Sequence, residues 1–372
     1  MNTWIAIAHP GLEPSVAAEL TEHGFRPEIQ PGWVRFQAEA QAVCTAMPML
    51  RTPDRMLMQV VEGRFSGSDG LAALVRAQNW KGLLAPEATL EVAVSGGGTA
   101  LRFKDSVQKR IVWAIGESLK GPRIPERYAR PRLTQRIAVR ADGDRATISL
   151  DAGGDLLYRR GWRTDVSKAP LRENIAATLL RLAGWSPSAP LLDPFCGSGT
   201  IPIEAALWAS GRSAFVNTTF AWHEWPMAKG WGAKPGRPRS PPSAILGSDR
   251  DPKCVQAALA NAKRAGVSVQ WSAADVSALT PPAPTGYLVT NPPWGHRLND
   301  DASARVIPAR DIFDRFATVV NEQFRSWHVV FLAPEQDLAR RVSPRVKPLA
   351  TFPNGGLRVT AWGIAPEERS QF

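Results

Sequence analysis

Cysteine is scarce in this chain, and the scarcity limits the kinds of site it could form. Only Cys44, Cys196 and Cys254 occur, far apart in the sequence. That separation gives neither the paired spacing of a zinc site nor a disulfide framework. The five histidines are equally scattered. We therefore expect a protein of the reducing cytoplasm that binds no metal.

Long apolar runs are also missing. No stretch approaches the ~20 apolar residues that a membrane-spanning helix needs. The first residues, Met1 to Ile5, lack a basic region followed by an apolar run, so a secretory signal is not expected. The 372 residues exceed one typical domain, which predicts two or three domains.

Negative charge is in short supply, and the basic excess is clustered. The chain has 45 Lys and Arg against 34 Asp and Glu, a net charge of +11. Between Arg102 and Arg145 there are twelve basic and five acidic residues. Clustering favours phosphate contacts over a general solubility effect, and it predicts a structured RNA partner. The candidate RNA-binding residues are Arg102, Lys104, Lys109, Arg110, Arg130 and Arg132.

The N-terminal part alternates short strands with helical patterns. Up to residue 62 the order is β-α-β-α-β, which is typical of a small ferredoxin-like unit. Residues 63–153 predict a second α+β unit, followed by a polar linker over 154–169. The predicted strands cover residues 4–8, 33–36, 56–62, 89–94, 136–140 and 146–150, and the predicted helices cover 14–23, 38–47, 71–78 and 105–119.

From residue 170 to 372 the pattern changes to long βα alternation. Repeated βα units require parallel strands covered by helices, so the fold class is α/β with a mostly parallel sheet. Asn354-Gly355 predicts a hairpin that closes this sheet. The predicted strands cover residues 191–193, 244–249, 267–271, 287–290, 327–332, 346–352 and 357–364, and the predicted helices cover 171–183, 201–210, 252–265 and 309–325.

A glycine turn follows the first of these strands. It reads Asp193-Pro194-Phe195-Cys196-Gly197-Ser198-Gly199-Thr200 and matches neither a P-loop nor the dinucleotide fingerprint. Asp193 offers a carboxylate to a cationic or amine-bearing ligand, and the two glycines allow close approach. We expect Thr200 to cap the following helix. A tight turn in which Asp193 bonds backbone amides remains the alternative.

Acidic residues end the next two strands as well. Asp249 could accept both hydroxyls of a ribose, and Asp275 could accept from an exocyclic amine. S-adenosylmethionine presents an ammonium, a diol and an adenine amine in that order, whereas a pyrophosphate would be repelled. Each acid could instead cap a helix, and Asp251 is expected to do so. The predicted cofactor residues are Asp193, Pro194, Phe195, Gly197, Ser198, Gly199, Thr200, Asp249, Arg250, Asp275, Val276 and Asn291.

Asn291-Pro292-Pro293-Trp294 follows the fourth strand and forms the predicted catalytic set. The Asn291 amide oxygen and the Pro292 carbonyl could accept from the amino group of a base, aiming its lone pair at a sulfonium methyl. Prolines fix the backbone, and Trp294 could stack on the base for roughly 1–3 kcal/mol. The transfer would then depend on positioning. The alternative is a proline-rich loop with a buried tryptophan.

These motifs resemble those of the THUMP-containing guanine-N2 RNA methyltransferases, above all the bacterial branch that modifies 23S ribosomal RNA. The motifs that carry it are residues 168–173, 193–206, 220–226 and 291–298. The resemblance is strong over 168–298 and weaker over 1–150, where it depends mainly on the order of the elements and on residues 10–13. It implies an N-terminal ferredoxin-like domain, a THUMP RNA-binding domain and a Rossmann-like class I methyltransferase domain that uses S-adenosylmethionine. Many members have Tyr where this chain has Trp294, and stacking survives that change.

Three other functions stay open at this point. The same chemistry could act on a tRNA acceptor stem, because THUMP domains are common in tRNA-modifying enzymes. Asn-Pro-Pro-aromatic motifs also occur in enzymes that methylate adenine N6, including DNA enzymes. A catalytically silent RNA chaperone is a further alternative, which the intact acids and Asn291 disfavour.

Overall fold

Two seven-stranded β-sheets organise the chain, one in each half. The computed structural model describes residues 1–86, 88–96, 104–119, 134–165, 171–232, 244–294 and 308–367. Among these residues, no helix has both the length and the apolar character needed to cross a membrane.

The N-terminal half contains seven strands and four helices in its described part. Two buried faces, one from each of the predicted α+β units, merge into one hydrophobic core that includes Trp4 and Ile148. The elements are β1 (Asn2–Ile7), α1 (Glu13–Glu22), β2 (Glu28–Gln30), β3 (Trp33–Ala38), α2 (Ala40–Ala46), β4 (Arg55–Arg64), α3 (Gly67–Ala77), β5 (Thr89–Gly96), α4 (Lys104–Leu119), β6 (Thr134–Asp142) and β7 (Arg145–Asp151).

The strand order of the first sheet is β2-β3-β1-β4-β7-β6-β5. Strand β4 is central, because its residues 55–58 pair antiparallel with β1 along one edge and its residues 57–64 pair antiparallel with β7 along the other. The sheet is therefore continuous across the predicted boundary between residues 62 and 63, which lies inside β4. Strand β6 alternates buried and partly exposed residues, the pattern of a sheet with one face against a core.

The C-terminal half follows the predicted βα alternation. Its elements are α5 (Glu173–Leu182), β8 (Leu191–Asp193), α6 (Thr200–Ala209), β9 (Ile245–Asp249), α7 (Pro252–Ala265), β10 (Gln270–Ala273), β11 (Gly286–Thr290), α8 (Ala309–Gln323), β12 (Trp327–Ala333), α9 (Gln336–Val342), β13 (Lys347–Asn354) and β14 (Leu357–Ile364).

The second sheet has the order β10-β9-β8-β11-β12-β14-β13. Its first five strands are parallel. In the closing hairpin, β14 pairs antiparallel with β12 and β13 pairs antiparallel with β14. The predicted α/β class with a closing hairpin is thus confirmed. Strands β8 and β11 are neighbours although two strands lie between them in sequence, so the chain reverses direction of winding there. Such switch points are where open α/β sheets bind ligands.

Several element boundaries differ from the prediction for local reasons. The strand predicted from residue 267 begins at Gln270, because Gly266 adopts a φ of 67° and the Val267 amide bonds back to Ala262. The helix predicted from residue 171 begins at Glu173, since Arg172 is extended.

Candidate functional site

The glycine turn connects β8 directly to α6. Gly199 has a φ of 88° and is the residue before the first helical turn. A Cβ at this position would lie 2.7 Å from Cη2 of Trp271 and 2.9 Å from Cβ of Ala258. Conformation and space therefore both require glycine here. The prediction that Thr200 caps the helix is wrong, because Thr200 is already helical and its side chain makes no capping bond.

Asp193 is buried at the start of the turn, with 2% of its surface exposed. Its Oδ1 accepts hydrogen bonds from the Phe195 amide at 3.1 Å and from Oγ1 of Thr290 at 2.5 Å. Burial raises the pKa of Asp193 to about 7; the two hydrogen bonds oppose this, and the neighbouring Asp249 adds to it. Within the described part of the chain, Oδ2 accepts no hydrogen bond. A cationic ligand would supply the missing partner.

Asp249 braces the same turn from the end of β9. Its Oδ2 accepts from the Gly197 amide at 3.0 Å, and its Oδ1 accepts from the Asp251 amide at 3.0 Å. Each oxygen keeps a second lone pair, so a diol could still be bound. Burial raises the pKa of Asp249. The expected capping role of Asp251 is confirmed, since its side chain accepts from the Lys253 amide at 2.9 Å.

Asp275 follows β10 and caps a short 3₁₀ helix, Val276–Ala278. Its Oδ1 accepts from the amide of Ser277 at 3.1 Å and from the hydroxyl at 2.8 Å. The amide hydrogen bond is the main reason that the pKa of Asp275 is lowered. Its Oδ2 lies 3.6 Å from Nη1 of Arg315. The capping alternative is therefore realised here, and binding of an adenine amine stays a prediction.

Asn291 lies immediately beyond β11, beside the glycine turn. Leu288 of β11 pairs with Leu192 of β8, and Thr290 bonds to Asp193, so the two strand ends are adjacent. Nε1 of Trp294 donates to Oδ1 of Asn291 at 3.3 Å. Trp294 is 2% exposed and belongs to the second hydrophobic core. In this conformation its ring is not offered to a base, so the stacking role stays a prediction.

The glycine turn also holds an unused polar group. The Ser198 hydroxyl is buried and has no hydrogen-bond partner within the described residues. An unpaired buried hydroxyl costs free energy that a ligand could recover. Together with the free Oδ2 of Asp193 it suits a ligand that carries both donors and acceptors. No cluster of metal-binding side chains occurs in the described ranges.

Two of the predicted RNA-binding residues lie on an exposed stripe of α4. Lys109 and Arg110 are exposed, and Arg110 pairs with Asp69. Trp113, one turn further on, is 57% exposed, and the guanidinium of Arg76 lies 5.0 Å from its ring centroid. Trp113 is not among the predicted RNA-binding residues, although its spacing of four residues from Lys109 places both on one helix face. Lys104 begins the helix, but its side chain is not described, and Arg102, Arg130 and Arg132 lie outside the described residues.

The strand order, the glycine turn after β8 and the Asn-Pro-Pro segment after β11 together define a class I methyltransferase. The RMKL-like methyltransferase domain matches residues 160–359. The RlmL ferredoxin-like domain matches residues 3–57. The chain therefore belongs to the RMKL-like methyltransferase family. The predicted ferredoxin-like start and methyltransferase domain are confirmed.

Relatives agree with this assignment. YpsC of Bacillus subtilis, by name a candidate RNA methyltransferase, is 32% identical over 313 residues, which is 80% of each chain. SMU.472, a candidate methyltransferase solved with SAH, has a TM-score of 0.81 and 25% identity over 99% of this chain and 98% of its own. A Listeria monocytogenes protein described as a predicted N6-adenine-specific DNA methylase has a TM-score of 0.80 and 26% identity, with 98% and 96% covered. S-adenosylmethionine, the predicted cofactor, is the methyl donor of such enzymes.

Proposed function

We propose that this chain transfers a methyl group from S-adenosylmethionine to the exocyclic N2 of a guanine in 23S ribosomal RNA. One observation carries the proposal. Asn291, with its amide oxygen beside two prolines, directly follows the strand whose last residue bonds to Asp193 of the glycine turn. An amino-bearing base held by Asn291 would therefore be close to a cofactor held by Asp193.

The proposed cofactor site uses acids at three strand ends. Asp193 would receive the ammonium group, Asp249 the ribose diol, and Asp275 with Val276 the adenine. Pro194, Phe195, Gly197, Ser198, Gly199 and Thr200 would surround the methionine and ribose, with Arg250 at the edge. When bound, the cofactor supplies an electrophilic methyl group on its sulfonium. Two features support this fit: Asp193 is a buried residue whose Oδ2 accepts no hydrogen bond from the described residues, and the buried Ser198 hydroxyl is unpaired among them.

Asn291 and Pro292 would orient the base. The lone pair of an exocyclic amine is delocalised into the ring, so the amine is a poor nucleophile until its hydrogens are held out of that plane. Two acceptors, Oδ1 of Asn291 and the Pro292 carbonyl, would hold both hydrogens. The Asn291 oxygen already accepts one long bond from Trp294 and has a second lone pair. Positioning of this kind can account for a large part of a rate.

RNA as substrate is supported by the N-terminal half and by the name of the YpsC relative. We propose that residues 63–153 form a THUMP unit that contacts phosphates through the exposed stripe of α4. Lys109 and Arg110 supply charge there, and Trp113 supplies an aromatic face. A base inside structured RNA must leave its stack at a cost of about a few kcal/mol. Phosphate contacts would help to offset that cost.

The test compares RNA pools with the full chain and a labelled cofactor. Deproteinised ribosomal RNA and tRNA are incubated separately, and the product nucleoside is identified by mass spectrometry. We expect N2-methylguanosine from large-subunit RNA. The same nucleoside from tRNA alone would favour the alternative substrate, a tRNA acceptor stem. No label in either RNA would contradict the proposal.

Methylation of adenine N6 is the second candidate. The Asn-Pro-Pro-aromatic motif and the description of the Listeria protein both favour it. The same incubation with duplex DNA added as a third substrate separates the two. N6-methyladenosine or its deoxy form would replace the guanine assignment.

A further inference from the structure

A buried ionic cluster joins the two halves of the protein. Three arginines and three glutamates take part, and all but Glu22 are buried or nearly so. Its members are Glu19 and Glu22 of α1, Arg51 before β4, Arg160 between the halves, Arg181 of α5 and Glu204 of α6. Equal numbers of opposite charges make such burial tolerable, because each ion has a partner.

The carboxylate of Glu204 pairs with two of these arginines, Arg51 and Arg160, which come from different parts of the chain. Nη1 of Arg51 lies 3.4 Å from Oε2, and Nε of Arg160 lies 3.2 Å from Oε1. Arg51 also donates to the carbonyl of Arg212 at 2.8 Å, just after α6. Arg160 donates to the carbonyl of Arg51, which ties the two arginines together. The Glu204 side chain is completely buried.

The position of Glu204 on α6 links this cluster to the glycine turn. Glu204 is four residues after Thr200, so it lies one helical turn from the start of the helix. The Ile203 amide bonds to the Gly199 carbonyl at 3.0 Å, and the Gly199 amide bonds to the Cys196 carbonyl at 2.8 Å. A displacement of α6 would therefore move the turn itself.

Helix α6 has no free face with which to adjust. Every residue from Thr200 to Ala209 except Trp208 is buried. A helix buried all round is held by its neighbours on each side. On the side of Glu204 those neighbours are the two arginines, one of which belongs to the N-terminal half.

We propose that Glu204 is a positioning residue: through Arg51 and Arg160 it fixes α6, and with it the glycine turn, at the location that binds the cofactor. The inference rests on the proposed binding of S-adenosylmethionine at residues 193–200. Glu204 touches neither cofactor nor base. Its effect reaches the cofactor through the backbone of Gly199.

The test replaces Glu204 with Gln in the full chain. Gln keeps the shape but removes the charge that holds both arginines. The affinity for SAH is measured by calorimetry, and KM for the cofactor and kcat are measured with RNA, all well below the melting temperature. We expect the Kd for SAH and the KM for the cofactor to rise about tenfold or more, with a smaller change in kcat.

Asp151→Asn is the matched control. Asp151 is also completely buried, and it pairs with Arg55. Asp151 ends β7 and Arg55 begins β4, so the pair belongs to the first sheet and not to the cluster around Glu204. This variant should lose thermal stability and keep the Kd for SAH within about twofold of the parent protein. If both variants weaken SAH binding equally, or if Glu204→Gln binds SAH normally, the positioning role is refuted.

Arg51→Lys covers the case in which Glu204→Gln does not fold. Lysine can reach one partner but cannot contact Glu204 and the Arg212 carbonyl together. A folded Arg51→Lys protein should bind SAH several-fold more weakly, and normal binding would contradict the proposal. Asp193→Asn separates the two levels of inference: if it leaves SAH affinity unchanged, the assignment of the turn to the cofactor has failed, whatever Glu204 does.

Discussion

Asp193 must be ionised to pair with the ammonium group of the proposed cofactor. In the ligand-free protein, ionising this buried carboxyl costs free energy. Its carboxyl is buried, and its pKa is raised from 3.8 to about 7, mainly by burial. An ammonium group next to Oδ2 would favour the ionised form. Asp193 therefore lowers the stability of the ligand-free protein and raises the affinity for the cofactor.

Asp193→Asn should therefore stabilise the ligand-free protein and weaken cofactor binding. Asn can still accept from Phe195 and Thr290 through its oxygen. Between the unfolded pKa of 3.8 and the folded pKa of about 7, the folded protein binds the extra proton, so stability of the parent falls as pH rises. Above about pH 7 the full penalty, of order 4 kcal/mol, applies.

Melting temperatures of both proteins from pH 5 to pH 8 check this. The melting temperature of Asp193→Asn should exceed that of the parent by a margin that grows up to about pH 7 and then stays constant. Its SAH affinity should be lower than that of the parent by more than about tenfold. A difference in melting temperature that did not change with pH would show that burial does not hold the Asp193 carboxyl neutral.

Asn291→Ala should remove turnover and spare binding. The amide oxygen is proposed to act on the amine, so we expect kcat to fall by about 100-fold or more, with Kd values for RNA and SAH within about threefold. Trp294→Phe is a companion variant, since it removes the indole donor to Asn291 and leaves the Asn291 amide oxygen in place. A near-normal rate for Asn291→Ala would remove the role given to this amide.

At the scale of elements, the strand-to-helix turn depends on glycine for two separable reasons. Gly199 and Gly230 both have a φ of 88°, but only Gly199 is crowded by Trp271 and Ala258. Gly230 has open space within 4 Å of the Cβ position. The pair therefore separates backbone strain from steric overlap.

Gly199→Ala should lose more stability than Gly230→Ala and should also lose SAH affinity. Backbone strain alone costs about 1–2 kcal/mol, and it should appear in both melting temperatures. Overlap with the Trp271 ring adds to it only at Gly199, where the turn must shift. Equal stability losses and unchanged SAH binding would mean that Trp271 and Ala258 simply move aside.

Most elements could be predicted from the sequence because their apolar periodicity was regular. The exceptions are β2, which has three exposed residues, and α9, which has only seven residues. Strand β2 has no buried residue and so no apolar alternation, and α9 has only three buried positions, Leu338, Ala339 and Val342. The burial of Trp294 could not be predicted, because a tryptophan beside a cleft is equally suited to packing and to stacking. Nor could the network at Glu204, because its partners lie 44 and 153 residues away in sequence.

On the scale of the whole molecule, the excess of positive charge predicts strongly salt-dependent RNA binding. Raising the salt from roughly 50 to 200 mM should weaken RNA binding by about 10²-fold or more, because counterions are released from phosphates. SAH binding should change little. Lys109→Ala should lower the slope of log Kd against log salt by about one.

Lys263→Ala is the control for that slope, because Lys263 is also exposed on a helix but belongs to α7. Its slope should equal that of the parent. An unchanged slope of log Kd against log salt for Lys109→Ala would show that Lys109 of α4 does not contact RNA phosphates.

The central strand β4 has a consequence for how this protein can be recombined with its relatives. One edge of β4 joins β1 and the other joins β7, so a crossover inside the first 151 residues would have to match both edges at once. Exchange of the ferredoxin-like segment alone would pair strands from two different proteins in the middle of the sheet. We expect folded hybrids only when the whole N-terminal sheet comes from one parent, together with Arg51 and Arg160, which pair with Glu204.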